Sequence, residues 1–97
     1  MKKRKLGNSE LYISELSLGC MSLPINVNEA RPIVEAALDA GITYFDTADL
    51  YDKGVNEEMI GTLLKPHREN IILATKVGNR WIEGEDGWTW DPTPAHI

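Results

Sequence analysis

The run Ile42-Thr43-Tyr44-Phe45-Asp46, continued by Thr47-Ala48-Asp49-Leu50-Tyr51, lies near the middle of a chain of 97 residues. Its first four residues are β-branched, aromatic or apolar, and no charged side chain interrupts them before the closing aspartate. A strand covered on both faces reads this way, whereas a half-buried strand alternates apolar with polar side chains. Two further runs frame it: Glu15-Leu16-Ser17-Leu18-Gly19 before, and Ile71-Ile72-Leu73-Ala74-Thr75 after.

The segments between these runs change period. Ala30, Ile33, Val34, Ala37 and Leu38 recur at the spacing of one helical face, with Asn28 as the expected N-cap and Gly41 as the stop. Pro32 falls in the expected first turn and predicts an irregular start. A second helix follows, with Asn56 as the expected cap, Glu57 and Glu58 against the positive end of the helix dipole, and Met59, Ile60, Leu63 and Leu64 as the buried face. Pro66 closes it. Alternating strands and helices imply an α/β fold with a parallel sheet and crossover helices.

Further out, Lys2-Lys3-Arg4-Lys5 runs into the turn cluster Gly7-Asn8-Ser9, and Leu11-Tyr12-Ile13 returns, so a solvated β-hairpin is expected at the N-terminus. Beyond Lys76 the chain reads as loop, with Gly78, Gly84, Gly87 and Pro92 among Trp81, Trp88 and Trp90. Thr93-Pro94 resembles a helix start. Three parallel strands with an unfinished βα unit leave an unpaired edge, so residues 1–97 are expected to be the N-terminal portion of a larger domain, an incomplete barrel that folds poorly and is inactive alone.

The formal charge of −5 argues against a phosphate-backbone binder, and the short basic run is better explained as a wet strand than as a nucleic-acid patch. No apolar run is long enough for a bilayer and no signal peptide follows the basic start, so neither nucleic acid nor membrane is an expected partner. Cys20 is the single cysteine, which precludes an internal disulfide and agrees with a cytoplasmic address. No metal site is expected.

In parallel β/α proteins the side chains that act on ligands gather where strands end. Here those places hold Gly19-Cys20-Met21, Asp46 with Tyr51 five residues on, and Lys76. Alone, each has a plainer explanation: the aspartate as turn former, the tyrosine as half-buried aromatic, the lysine as surface residue. Together they suit carbonyl reduction. Hydride addition builds negative charge on oxygen, which needs a proton donor in reach. A tyrosine, with a pKa of about 10, is a reluctant acid. A buried ammonium about 4 Å away, at an effective dielectric of about 20, favours the phenolate by roughly 4 kcal/mol, and the aspartate would keep that ammonium charged.

The elements Asp46-Thr47-Ala48-Asp49-Leu50-Tyr51, Asn56-Glu57 and Ala74-Thr75-Lys76 resemble the signature of the aldo-keto reductases, and Leu18-Gly19-Cys20-Met21-Ser22 resembles their first cofactor-side loop. The resemblance spans essentially the whole chain. It implies the first three or so βα units of a TIM (β/α)8 barrel, closed at its base by the N-terminal hairpin, and reduction of an aldehyde or ketone with NADPH. Asp46, Tyr51 and Lys76 carry over as catalytic residues, and Gly19, Cys20, Met21 and Asp46 as cofactor-side positions, Cys20 as a small residue packing beneath the nicotinamide. The family's fourth catalytic residue, a histidine after the next barrel strand, would fall beyond Ile97; His96, at a helix start, is no substitute. The same residues also suit a regulatory barrel that binds the cofactor with little turnover. Whether the tryptophans line a substrate pocket or cover the rim, and whether Gly78-Asn79-Arg80 meets cofactor or substrate, stays open. His67 reads as a loop histidine.

Overall fold

The chain opens with a hairpin of β1 (Lys3–Lys5) and β2 (Tyr12–Ser14) in a computed structural model describing residues 1–97. The strands pair antiparallel with Lys3 opposite Ser14, and every residue of β1 is exposed, so the basic run is a solvated strand. Ser14 is buried. Its hydroxyl accepts from the Thr43 N–H at 3.0 Å and donates to the Leu16 carbonyl at 2.5 Å, which fastens the hairpin to the incoming end of the central sheet.

That sheet contains β3 (Ser17–Gly19), β4 (Tyr44–Asp46) and β5 (Ile72–Ala74), all parallel and in that order. Helix α1 (Val27–Asp39) crosses from the first strand to the second, and α2 (Val55–Leu64) from the second to the third. Phe45 is wholly buried at the centre, with Val34, Ile60 and Leu64 against it in one cluster. Burying each such side chain contributes about 1.5–3 kcal/mol.

Four sequence expectations shift on the helices. Asn26, not Asn28, caps α1: its backbone is extended (φ −81°, ψ 122°), as a cap requires, and its side chain accepts from the Asn28 N–H at 2.8 Å. Pro32 therefore lies inside the helix, on its exposed side, where water can meet the carbonyl that proline leaves unpaired. Ala30, Val34 and Ala37 are buried as expected, but Ile33 is 42% exposed, one step around the helix from the packed face. At the far end Gly41, at φ 92°, donates to the Leu38 carbonyl while Ile42 donates to Ala37, the two-bond stop of a left-handed cap.

Helix α2 is entered through a 3-10 turn, Tyr51–Gly54, and its cap is Gly54 at φ 90°. Asn56, expected as the cap, is the second residue of the helix. Glu57 and Glu58 do stand in the first turn, and Met59, Ile60, Leu63 and Leu64 form the buried face. After Leu64 a second 3-10 segment, Lys65–Asn70, carries Pro66 near its start.

The segment read as loop beyond Lys76 contains a second hairpin, β6 (Asn79–Trp81) against β7 (Trp88–Trp90), with Trp81 opposite Trp88. The Ile82 N–H closes onto the Gly87 carbonyl at 3.0 Å, and Gly84 takes φ 77° in the turn. The N–H groups of His96 and Ile97 both meet the Thr93 carbonyl at 3.0 Å, one turn following Pro94. No helix is long and apolar enough to cross a membrane.

Candidate functional site

Register sets the site. Gly19 lies opposite Asp46, and Asp46 opposite Ala74, so the three strands end level. Backbone bonds continue the ladder past the ends: Cys20 N–H to the Asp46 carbonyl at 2.8 Å, Thr47 N–H to Ala74 at 2.9 Å, Asp49 N–H to Lys76 at 3.2 Å. One edge of the sheet therefore gathers the strand ends that carry Gly19, Cys20, Asp46 and Lys76.

Asp46, Tyr51 and Lys76 converge there. The Lys76 ammonium donates to Asp46 Oδ1 at 2.8 Å, to the Thr47 carbonyl at 3.0 Å and to the Tyr51 hydroxyl oxygen at 3.4 Å. An ammonium has three hydrogens and no acceptor, so all of its donors are used and the hydroxyl hydrogen of Tyr51 is left to point elsewhere. The hydrogen bond to Asp46, reinforced by Tyr51, holds the Lys76 pKa above its ordinary 10.5; the side chain stays an ammonium at neutral pH.

The ammonium is not buried as expected. The Lys76 side chain is 50% exposed and that of Asp46 38% exposed, because the edge is open to water. In that setting the attraction between an ammonium and a phenolate at about 4 Å falls from several kcal/mol to about 1 kcal/mol. Exclusion of water by whatever covers the edge would restore the larger value.

The cofactor-side positions divide. Gly19 is exposed with room around it, since a Cβ there would meet nothing within 4 Å, and Met21 is 62% exposed. Cys20 points the other way: it is wholly buried in the core cluster, its thiol 3.5 Å from the Leu18 carbonyl. Burial pushes its pKa up to about 11. It supports the edge from beneath and offers no surface to a ligand.

Asn56, expected as a helix cap and as part of the signature, instead works as a buried tie. It is wholly buried; its Oδ1 accepts from the Thr47 hydroxyl at 2.5 Å, and its Nδ2 donates to the Cys20 carbonyl at 2.7 Å. Beside it, Glu57 accepts from the Thr75 hydroxyl. The signal was present: Asn56 stands three and four residues before Met59 and Ile60, on the buried stripe, where an amide needs internal partners.

The loop carrying Tyr51 is fastened to the second hairpin. Asp49 accepts from the Asn79 side chain at 2.6 Å and from the Asn79 N–H at 3.3 Å, and the Trp81 indole donates to the Leu50 carbonyl at 3.2 Å. Lys53 lies 5.2 Å from the Trp81 ring centroid. Asp52 and Lys53 take φ 51° and 56°, left-handed conformations that cost about 1 kcal/mol or more each without glycine. These ties hold that strain in place.

The tryptophans thus separate. Trp81 borders a cleft of about 310 Å³ together with Asp49, Lys53, Asn79 and His96; none of Asp46, Tyr51 or Lys76 lines it. Trp88 and Trp90 pack edge to face, centroids 4.9 Å apart, on an exposed strand. His96 Nε2 lies 2.7 Å from the Asn79 carbonyl, tied to the hairpin and not to the trio. Arg80 pairs with Asp91 at 3.1 Å.

Comparison with known proteins points to one group. Residues 15–96 match the model of the Aldo/keto reductase family. The chain is 57% identical to an uncharacterized oxidoreductase of Bacillus subtilis (strain 168), YqkF, over the whole of this chain and 32% of that protein. It is 35% identical to pyridoxal 4-dehydrogenase of Microbacterium luteolum over 96% of this chain and 29% of that one. Among solved structures, the holo form of aldo-keto reductase AKR11C1 from Bacillus halodurans superposes with a TM-score of 0.91 at 55% identity, over 99% of this chain and 32% of that one. The chain spans about a third of the length of these relatives. Its architecture is accordingly that of the opening β/α units of a (β/α)8 barrel, hairpin included.

Proposed function

Because the chain belongs to the aldo/keto reductase family, we propose that the full-length protein reduces a small aldehyde or ketone to the alcohol with NADPH, Tyr51 giving the proton. Residues 1–97 serve as the N-terminal portion of the barrel. NADPH, when bound, supplies the hydride; Gly19 and Met21, exposed beside Asp46 with open space at Gly19, would hold the nicotinamide end. The relative in holo form supports use of a bound cofactor. A cytoplasmic address agrees with the single, buried cysteine.

The observation that carries the reading is the Lys76 ammonium donating to both Asp46 and Tyr51. With that oxygen accepting from the ammonium, the Tyr51 O–H is free to donate to a carbonyl oxygen. As the proton leaves, the phenolate forms against a positive charge already in contact with it, so the charge that develops is met without rearrangement. Asp46 orients the ammonium and opposes its deprotonation.

The test is Tyr51→Phe in the full-length protein, followed through NADPH absorbance with an aromatic aldehyde. Turnover should fall by about 10²–10⁴-fold while the NADPH dissociation constant changes by no more than about twofold. Unchanged turnover would remove Tyr51 from the role. A wild-type protein that binds NADPH and reduces no carbonyl would instead belong to sensing or regulation.

A further inference from the structure

We infer that Asn56 and Glu57, consecutive residues in the first turn of α2, are positioning residues that hold the Asp46–Tyr51–Lys76 group in register, an inference that rests on the reductase reading of that group. The three strands end at Gly19, Asp46 and Ala74. The first residue past each end is Cys20, Thr47 and Thr75. These are the three residues that the pair holds: Asn56 takes the Cys20 carbonyl and the Thr47 hydroxyl, and Glu57 takes the Thr75 hydroxyl. Two neighbouring side chains on one helix turn therefore fasten all three strand ends at the same level.

Each fastened residue adjoins a site residue. Cys20 lies between Gly19 and Met21, Thr47 follows Asp46, and Thr75 precedes Lys76. Thr47 is fastened twice over, since its carbonyl is also an acceptor of the Lys76 ammonium at 3.0 Å. Any slip of Thr47 thus moves a ligand of the ammonium directly. The Asn56 amide is neutral and wholly buried, so it fixes geometry without adding charge beside Lys76. Both of its polar ends are satisfied, and in a water-free site an amide so held has no alternative partner to drift toward. An apolar residue on that helix face would pack as well and would fasten nothing.

The experiment uses the full-length protein with Asn56→Leu, which keeps the branched outline of the side chain and deletes both bonds, and Leu63→Ala, a cavity control on the same buried face. Three quantities are read well below both melting temperatures: kcat with an aldehyde, NADPH affinity, and the pH titration of the Lys76 side-chain resonance by ¹³C or ¹⁵N NMR. Asn56→Leu should lower kcat by about 10–100-fold, the scale of a misplaced group, with NADPH affinity kept and the Lys76 titration moved back toward ordinary lysine. Leu63→Ala should lose stability by a comparable amount and leave kcat and the resonance alone. Should Asn56→Leu fail to fold, Glu57→Ala, only half-buried, carries the same readouts. A Lys76 titration unmoved by either substitution, or equal kcat losses in variant and control, overturns the inference. If the wild type proves to have no turnover, the reductase reading falls, and the Lys76 resonance still decides the positioning role.

Discussion

Asn56 makes two short neutral hydrogen bonds in complete burial, whereas Lys76, a single carbonyl away, keeps half of its side chain in water and shares its charge with Asp46 and Tyr51. Both act on the residues just past the strand ends. Their environments assign them opposite work. A buried, fully satisfied amide is costly to disturb and so rigid, while an exposed ion pair contributes about 0–1 kcal/mol to stability and leaves its charge available for chemistry. Beneath the edge the side chains are buried and satisfied; on the edge they are solvated and charged and contribute little to folding.

Lys76→Met should separate the two most widely. Turnover of the full-length protein is expected to drop by about 10²–10⁴-fold, yet urea unfolding should shift by less than about 1 kcal/mol. A loss of several kcal/mol would mean that the edge is part of the fold's support and would erase the distinction.

Cys20 probes the buried side through pH. Its folded pKa is raised from 9.0 to about 11 by burial, so the folded chain retains a proton that the unfolded chain releases. The associated stability is fully present below about pH 9 and is lost as pH rises through about 11, amounting to roughly 2–3 kcal/mol. Lys76 is also raised, from 10.5, so its own loss begins only above that value and can be told apart. Melting temperature measured from pH 8 to 11 should fall steeply in the wild type and more gently in Cys20→Ala. Equal slopes would place the thiol in water.

How much of this was legible depends on what burial does to sequence. The three parallel strands and the faces of both helices announced themselves, since covering two sides of a strand or one side of a helix imposes a period. The trio was legible because Asp46 and Lys76 interrupt apolar runs at their ends. The second hairpin was not: Asn79-Arg80-Trp81 and Trp88-Thr89-Trp90 are short and largely exposed, so no core imposes a pattern, and its attachment through Asp49 and Asn79 joins residues 30 apart. Asn56 misled because an asparagine before glutamates is also a good cap. Only Gly54, free to take φ 90°, moved the helix start back and put Asn56 on the buried face. Exposure of the ammonium was illegible in principle, since it depends on what covers the edge.

Thr47→Val sharpens the contrast within one residue. The side chain is 1% exposed and its hydroxyl donates to Asn56, while its carbonyl serves Lys76. Valine keeps the shape and the carbonyl but leaves Asn56 Oδ1 without a donor, which should cost about 1–3 kcal/mol in urea unfolding. A cost near zero would show that the buried amide readily finds another partner.

Arg4→Ala supplies the smallest effect and a necessary reference. Arg4 and Glu15 are 3.6 Å apart with side chains 77% and 38% exposed, an ion pair like that of Lys76 and Asp46 in exposure but without a tyrosine to serve. If exposure alone governs what such pairs contribute to folding, its removal should change unfolding free energy by less than about 0.5 kcal/mol and leave turnover untouched. The two ion pairs would then differ only in what their charges face, water in the hairpin and a phenol at the strand ends. A large destabilisation by Arg4→Ala would instead show that the hairpin is held by charge, and the small effect expected of Lys76→Met on stability could no longer be ascribed to solvent exposure.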